Sequence, residues 1–311
     1  MTSPRAVVFA YHDVGVRCLK TLVSAGIQIP LVVTVADDPK ETQWFGSVAR
    51  AAAEYNLTVT MPDDANTPAV ESAVAAAEPD FIFSFYYRSM LKAPILQAAR
   101  KGALNMHGSL LPKFRGRAPV NWAILRGEKE TGATLHYMVD RADAGDIVDQ
   151  LAVPILADDD ARAVFNKVTA AAEIVLARSL PLLLAGTERR THQTIEPGQY
   201  FGRRRPEDGR IDWQRPAQEI HNLVRAVAPP FPGAFTTVSG ERWLIERTRI
   251  AKRTVQAGGR ARLFGEDGKC FAACHDGGVL EVMAATKDSG PVDLQALAAE
   301  LRKHPVSLGG P

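Results

Sequence analysis

The chain has 311 residues, of which 46% are hydrophobic and 23% are charged, the composition of an ordinary globular protein. Its 37 basic and 35 acidic side chains nearly cancel, so no overall field would draw the chain onto a nucleic acid backbone. These totals argue against a disordered or fibrous chain. The length favours a large domain followed by a smaller one.

The cysteines and the apolar runs bear on the compartment. Cys18, Cys270 and Cys274 are an odd number spread along the chain, which argues against a disulfide framework and for a reducing compartment. The N-terminus runs into a strand-like segment without the pattern of a signal peptide. The longest apolar run, at residues 174–184, carries Arg178 and falls short of the eighteen or so residues that cross a bilayer. We therefore expect a soluble, cytoplasmic protein with no membrane partner.

Short β-rich runs alternate with helix-like stretches in the first half of the chain. Strands are predicted at residues 5–11, 30–35, 57–60 and 80–85, and helices at 14–25, 42–55, 67–77 and 92–99. Right-handed crossovers between such strands give a Rossmann-like, doubly wound, mainly parallel α/β sheet. Further elements are predicted at residues 103–107 (strand), 119–126 (helix), 133–139 (strand) and from 158–160 to 185 (helix, ending at Gly186).

The composition of the sequence changes after the long helix. The polar stretch at 189–205 lacks apolar periodicity and is predicted to be a linker between a catalytic domain, 1–188, and a smaller domain, 206–304. A helix at 217–227 and strands at 234–238, 242–247, 261–264 and 278–284 predict an OB-like antiparallel β-barrel. Residues 305–311 are predicted to be a frayed tail.

The strongest candidates for chemistry lie at the end of the strand at 103–107, because reactive groups in an open parallel sheet gather at the carboxyl ends of the strands. Asn105 and His107 are two residues apart and project from the same face. An amide can donate to an oxyanion while an imidazole takes a proton from a nucleophile, a pairing that suits acyl transfer. The spacing alone also allows a purely structural pair, with Asn105 closing a turn.

A carboxylate follows the strand at 133–139. The loop there carries Asp143, which could point back at the same crevice and support His107. The alternative is a turn residue, and Asp146 in the same loop could serve instead. Between these segments, the basic loop at 113–119 leads into a helix and is either an anion site or a solvated turn.

The remaining polar clusters predict neither a dinucleotide nor a metal site. The first strand ends in Tyr11-His12-Asp13, which lacks the glycine fingerprint of dinucleotide binding, and no further ligand lies near His12 at a metal-binding spacing. Cys270 and Cys274, with His275, match no common zinc spacing and are predicted to be core residues.

Three segments carry a resemblance to a known family. Residues 105–112 (NMHGSLLP), residues 113–119 (KFRGRAP) and the Asp143 loop resemble the folate-dependent formyltransferases. In that family the Asn, His and Asp at these positions are the catalytic set, so the resemblance favours the functional interpretation of all three. Within the family the chain is most similar to the formyltransferase portion of the bifunctional polymyxin-resistance protein, which formylates UDP-4-amino-4-deoxy-L-arabinose. Motifs such as VFAYHD (8–13), IFSFYYR (82–88), FGRR (201–204) and residues 221–228 extend this similarity along nearly the whole chain.

The resemblance implies a mechanism and a donor site. The 4-amine of the nucleotide sugar attacks the formyl carbon of 10-formyltetrahydrofolate, a co-substrate, with no metal required. Asn105 steadies the oxyanion, His107 shuttles the proton and Asp143 supports His107. The folate site implied by the motifs consists of Ser89, Met90, Leu91, Arg117, Val139, Asp140, Arg141, Ala142 and Asp143. The pathway implied is lipid A modification with polymyxin resistance.

One departure and three rival functions stay open. The bifunctional relative has a further dehydrogenase and decarboxylase domain that this sequence lacks, so either a separate UDP-glucuronate decarboxylase is a partner or the acceptor is another amino sugar. Methionyl-tRNA formyltransferase is the nearest rival, but the segment at 37–45, where a tRNA-gripping loop is expected, is short and mixed in charge, and no nucleic acid partner is expected. A hydrolase that uses water as acceptor and a non-catalytic binding module are the others.

Overall fold

The computed structural model describes residues 3–36 and 43–309. The contacts between residues divide the chain into two compact units. The first comprises Met1–Pro119, Glu130–Pro154 and Phe165–Gly202, and the second comprises Val120–Lys129, Ile155–Val164 and Arg203–Pro311. The predicted domain boundaries at residues 188 and 206 remain predictions.

Up to residue 202 the chain alternates strands and helices. In chain order they are β1 (Arg5–Ala10), α1 (His12–Ser24), β2 (Gln28–Val33), α2 (Val48–Glu54), β3 (Val59–Thr60), α3 (Pro68–Ala76), β4 (Phe81–Phe85), α4 (Ala93–Leu96), β5 (Gly102–His107), β6 (Arg115–Gly116), α5 (Pro119–Leu125), β7 (Glu130–Tyr137), β8 (Ile147–Pro154), α6 (Ala161–Ala185) and β9 (Tyr200–Phe201).

Seven of these strands form one sheet in the order β3-β2-β1-β4-β5-β7-β8. The first five strands pair in parallel, and β7 and β8 add to the β5 edge in antiparallel fashion. Strand β4, with the sequence FIFSF, is buried at every position, as expected for a central parallel strand covered on both faces. The predicted doubly wound, mainly parallel α/β sheet is confirmed.

Several predicted elements differ from the structure. Strand β8 was not predicted. The helix predicted at 42–55 is confined to α2, which Ser47 caps by accepting a hydrogen bond from the Arg50 N–H, and the predicted start at Thr42 lies outside the described residues. The helix predicted at 92–99 is the single turn α4, because the chain turns directly afterwards to enter β5.

Helix α6 has the predicted bounds, but it is more apolar than the sequence analysis recognised. Asp160 accepts a hydrogen bond from the Ala163 N–H at its start, and Gly186, with φ of 67°, follows its last residue. By length and composition it is the one helix of the described chain that could cross a membrane, with a mean hydropathy of 1.7, although half of that window is buried within the protein. The expectation that no apolar stretch approaches this length was therefore wrong. A buried core helix passes the same test of composition.

The second unit is mainly an antiparallel sheet. Its elements are α7 (Ala217–Val227), β10 (Ala234–Val238), β11 (Glu241–Thr254), β12 (Arg262–Glu266), β13 (Lys269–Ala273), β14 (Gly278–Lys287), β15 (Gly290–Pro291), α8 (Leu294–Lys303) and β16 (Val306–Ser307). The strands follow the order β10-β11-β14-β13-β12-β16 and curl into a half-barrel. Helix α7 has the predicted bounds, whereas β13 and α8 were not predicted. Cys270 and Cys274 are buried there, as predicted.

The segment predicted to be a linker makes ordered contacts within the first unit. Thr191 and Ile147 exchange two backbone hydrogen bonds of 2.8 Å, and β9 pairs in parallel with β6. The contacts therefore assign this segment, up to Gly202, to the first unit.

Candidate active site

The pairing of β5 with β7 sets the geometry of the site. Asn105 lies opposite His136, and His107 lies opposite Thr134. Side chains at directly opposed positions of an antiparallel pair share one face of the sheet. Asn105, His107 and His136 therefore project from the same face of the first unit.

Asp143 reaches this face because the β7–β8 loop folds back. Strand β7 runs antiparallel to β5, so its last residue, Tyr137, lies opposite Leu104, away from His107. The loop at 138–146 returns along the sheet, and Asp143 adopts a positive φ of 50°, which aspartate tolerates better than most residues. At Gly145 an added Cβ would lie 2.0 Å from the Tyr137 carbonyl oxygen, so this close return requires glycine.

The structure brings together the three residues that the sequence analysis singled out for catalysis. The Asp143 Oδ1 atom lies 3.5 Å from Asn105 Nδ2 and 3.6 Å from His107 Nδ1. Asp146, the alternative carboxylate, instead contacts the exposed His192 at 3.0 Å.

The two nitrogens of His107 have different environments. Nε2 lies 2.9 Å from the Phe114 carbonyl oxygen, and because a carbonyl only accepts, Nε2 carries a hydrogen and donates it. In the neutral ring, Nδ1 is therefore the basic nitrogen, and it faces Asp143. The side chain is almost fully buried, which fixes this orientation.

His136 is a fourth polar group of the site that the sequence analysis missed. Its Nδ1 donates to the Tyr137 carbonyl oxygen at 2.9 Å, so in the neutral ring Nε2 accepts a hydrogen bond from Asn105 Nδ2 at 3.1 Å. Nε2 also lies 3.6 Å from Asp143 Oδ1. The alternation of Thr134 and His136 in β7 places both on one face, but the register that sets His136 opposite Asn105 is not visible in the sequence.

Asp143 is ionised despite its burial. Burial alone raises the pKa of this carboxyl, but positive charge on the neighbouring His107 and His136 rings, when they are protonated, and the Gly116 N–H, which donates to Oδ2 at 2.9 Å, together lower the pKa well below its ordinary value. The site therefore holds a carboxylate at any pH near neutrality.

The residues implied for folate binding lie in two loops, with Arg117 in the segment before α5. Ser89, Met90, Arg117, Val139, Asp140 and Arg141 are exposed, Ala142 and Asp143 are half-buried, and Leu91 is buried in the hydrophobic core. The side chain of Leu91 therefore packs in the protein interior. Met90 and Val139 are 55% and 45% exposed, unusually high for apolar side chains.

The basic loop at 113–119 is only partly a surface turn. Arg115 is 2% exposed, and its guanidinium donates to the carbonyl oxygen of Ala142, at 2.5 Å from Nη2, and to that of Asp143, at 3.2 Å from Nε. Arg115 therefore holds the Asp143 loop and is unavailable for an anion, whereas Arg117 is exposed.

His12 lies in an aromatic cluster at the end of β1. Its ring stacks on Phe45 with centroids 3.9 Å apart and meets Trp44 and Phe165 edge-on. Burial, with a contribution from Arg88, lowers the pKa of His12 to about 3. Across residues 3–36 and 43–309, no group of three or more His, Cys, Asp or Glu side chains is arranged to hold a metal.

An amide, an imidazole and a carboxylate gathered over one face of a mainly parallel sheet are the groups that an acyl-transfer enzyme needs. The sequence patterns of two formyl transferase domains match the chain, the N-terminal domain over residues 7–180 and the C-terminal domain over residues 203–299. The chain belongs to the formyl transferase family.

Solved structures share the fold. An N-formyltransferase from Helicobacter canadensis, in complex with folinic acid and dTDP-3-aminofucose, superposes with a TM-score of 0.72 at 19% identity and covers 91% of this chain and 99% of its own. A 4-N formyltransferase from Francisella tularensis gives a TM-score of 0.61 at 18% identity, covering 75% and 91%. HypX from Aquifex aeolicus, in complex with tetrahydrofolic acid, gives 0.60 at 19% identity, covering 97% of this chain and 48% of its own.

Proposed function

We propose that this formyltransferase moves a formyl group from 10-formyltetrahydrofolate to the 4-amine of UDP-4-amino-4-deoxy-L-arabinose. The observation that carries the proposal is that Asn105 Nδ2 and His107 Nδ1 both lie within 3.6 Å of the same carboxylate oxygen, Oδ1 of Asp143. The folate donor supplies an activated formyl carbonyl group, and the acceptor supplies a neutral amine.

The chemical roles follow from the hydrogen bonds of the site. One N–H of Asn105 Nδ2 donates to His136, and the other faces Asp143 across a long contact of 3.5 Å. In the transition state this second N–H would instead donate to the formyl oxygen as negative charge develops on it. His107 Nδ1 takes the proton that the attacking amine loses and returns it to the departing folate nitrogen. The Asp143 carboxylate stabilises the positive charge of His107 while His107 holds that proton.

Two exposed apolar side chains support the proposed donor site. Met90 and Val139 offer uncovered apolar side chains for the aromatic parts of a folate. Ser89, Leu91, Arg117 and residues 140–143 would supply backbone and polar contacts. The complexes of the similar proteins with folinic acid and tetrahydrofolic acid support a folate donor.

The choice of acceptor rests on sequence similarity. The motifs at 8–13, 82–88 and 201–204 favour the UDP-4-amino-4-deoxy-L-arabinose branch and, with it, lipid A modification, polymyxin resistance and a separate UDP-glucuronate decarboxylase in the same pathway. Another nucleotide-linked amino sugar is the second candidate, because the Helicobacter canadensis structure contains dTDP-3-aminofucose.

A formylation assay with three acceptors tests the proposal. Purified enzyme and 10-formyltetrahydrofolate are mixed with UDP-4-amino-4-deoxy-L-arabinose, dTDP-3-aminofucose or initiator methionyl-tRNA, and product is measured by mass spectrometry or radiolabel. We expect the highest kcat/KM with the UDP sugar. Faster turnover of the dTDP sugar would establish the second candidate, and turnover of the tRNA alone would overturn the assignment to sugars.

A further inference from the structure

The loop that carries Asp143 is anchored by a residue far along the chain. Gln193 is 4% exposed, and its Nε2 donates to the carbonyl oxygens of Gly145 at 2.6 Å and Asp143 at 3.2 Å. These carbonyls flank the reactive carboxylate. Arg115 binds the carbonyls of Ala142 and Asp143 as a second anchor of the same loop.

The loop needs such anchors. Asp143 has a positive φ, and residues 139–141 are exposed, so little packing of their own side chains fixes this part of the loop. A shift of about 1 Å in a catalytic group can cost on the order of a hundredfold in rate. Whatever holds the backbone at 142–145 therefore controls the distance between Asp143 and His107.

Gln193 is itself held in place and incompletely satisfied. The backbone hydrogen bonds between Thr191 and Ile147 fix the segment two residues before it. Its Oε1 atom is buried and has no hydrogen-bond partner among the described residues. A buried acceptor without a partner destabilises the folded protein, so the carboxamide is not at a position optimised for stability alone.

We propose that Gln193 is a positioning residue that acts on formyl transfer through Asp143. The proposal rests on the role of Asp143 in the proposed function. The Gln193 amide donates to the carbonyl oxygens of Asp143 and Gly145 and so ties the loop to the 191–193 segment. This keeps the Asp143 carboxylate close to His107 Nδ1.

The test combines Gln193→Met, which removes the donor and keeps the length of the side chain, with Thr194→Val as a matched control on an exposed neighbour. Hydrogen exchange of the backbone amides at 140–146 needs neither donor nor acceptor. We expect these amides to exchange at least tenfold faster in Gln193→Met, with α1 and β4 unchanged, and no change in Thr194→Val. Equal exchange in the wild type and Gln193→Met would overturn the proposal.

A double-mutant cycle separates positioning from general destabilisation. With whichever acceptor the wild type uses, we expect Gln193→Met to lower kcat by ~10–100-fold with a smaller change in the acceptor KM. In an Asp143→Ala background the same substitution should have no further effect on kcat. An equal loss in both backgrounds would show that Gln193 does not act through Asp143. If Asp143→Ala itself leaves kcat unchanged, the proposed site fails, whereas the exchange measurement still decides whether Gln193 holds the loop.

Discussion

The amide of Asn105 is useful to an oxyanion only if its nitrogen, and not its oxygen, faces the reacting carbonyl. His136 fixes this choice, because its Nδ1–H is committed to the Tyr137 carbonyl and its Nε2 can only accept. In its neutral form, this histidine thus sets the orientation of the group opposite it on β5. Its own contact with a substrate is not required for this role.

Replacing His136 should therefore lower the rate while Asn105, His107 and Asp143 remain in the site. We expect His136→Leu to reduce kcat by about tenfold or more, with the loss bounded by that of Asn105→Ala, which should be ~10²–10³. His136→Gln, which keeps an acceptor, should recover part of the loss. Steady-state kinetics of the three variants check this, and wild-type kcat in His136→Leu would contradict it.

His12 makes the stability of the protein depend on pH. Its folded-state pKa of about 3 lies below the ordinary 6.5, so its neutral form stabilises the fold fully above pH 6.5, and this contribution is lost as the pH falls toward 3. Between pH 7.5 and 5.0 we expect this loss to be about 2 kcal/mol.

Urea unfolding of the wild type and of His12→Asn at the two pH values measures this contribution. Asparagine tolerates the positive φ of 65° at this position and does not titrate in this range. We expect the fall in unfolding free energy between the two pH values to shrink by about 2 kcal/mol in His12→Asn. His275→Asn, at an exposed position, should leave the fall unchanged; an identical fall in all three proteins would contradict the assignment.

At the scale of elements, periodicity identified what is locally encoded. Strands β1, β4 and β5 and helix α7 lie within a residue or so of their predicted bounds, because their apolar runs are bordered by polar or turn residues. Strand β8 escaped prediction because most of its positions are only half-buried and give no apolar run. Strand β13, with the sequence KCFAA, is short and rich in small residues.

The site was predictable only in part, because only some of its geometry is encoded locally in the sequence. The spacing of Asn105 and His107 within one strand is local and shows that they share a face. The return of the 138–146 loop, the register that brings His136 to Asn105 and the anchors Arg115 and Gln193 depend on pairings between distant segments. Such pairings leave no periodic signal in one sequence.

In the second unit, one motif used to recognise the family has an architectural role. His221 Nδ1 contacts Thr248 Oγ1 and Nε2 contacts the Ala157 carbonyl oxygen, while Arg225 donates to the carbonyl oxygens of Leu156 and Asp159. These bonds connect α7 to β11 and to the residues before α6, all within the second unit. The similarity at 221–228 therefore falls on residues with a structural role, whereas the similarity at 105–119 includes the proposed catalytic residues Asn105 and His107.

At the scale of the whole molecule, the central claim is that the cluster around Asp143 performs chemistry and does not merely bind a folate. His107→Ala distinguishes the two, measured as single-turnover formyl transfer beside calorimetric binding of folinic acid to the same preparation. We predict a fall in the transfer rate of ~10²–10⁴-fold with folinic acid affinity within about threefold of the wild type. Transfer at the wild-type rate by a folded His107→Ala variant would contradict the account.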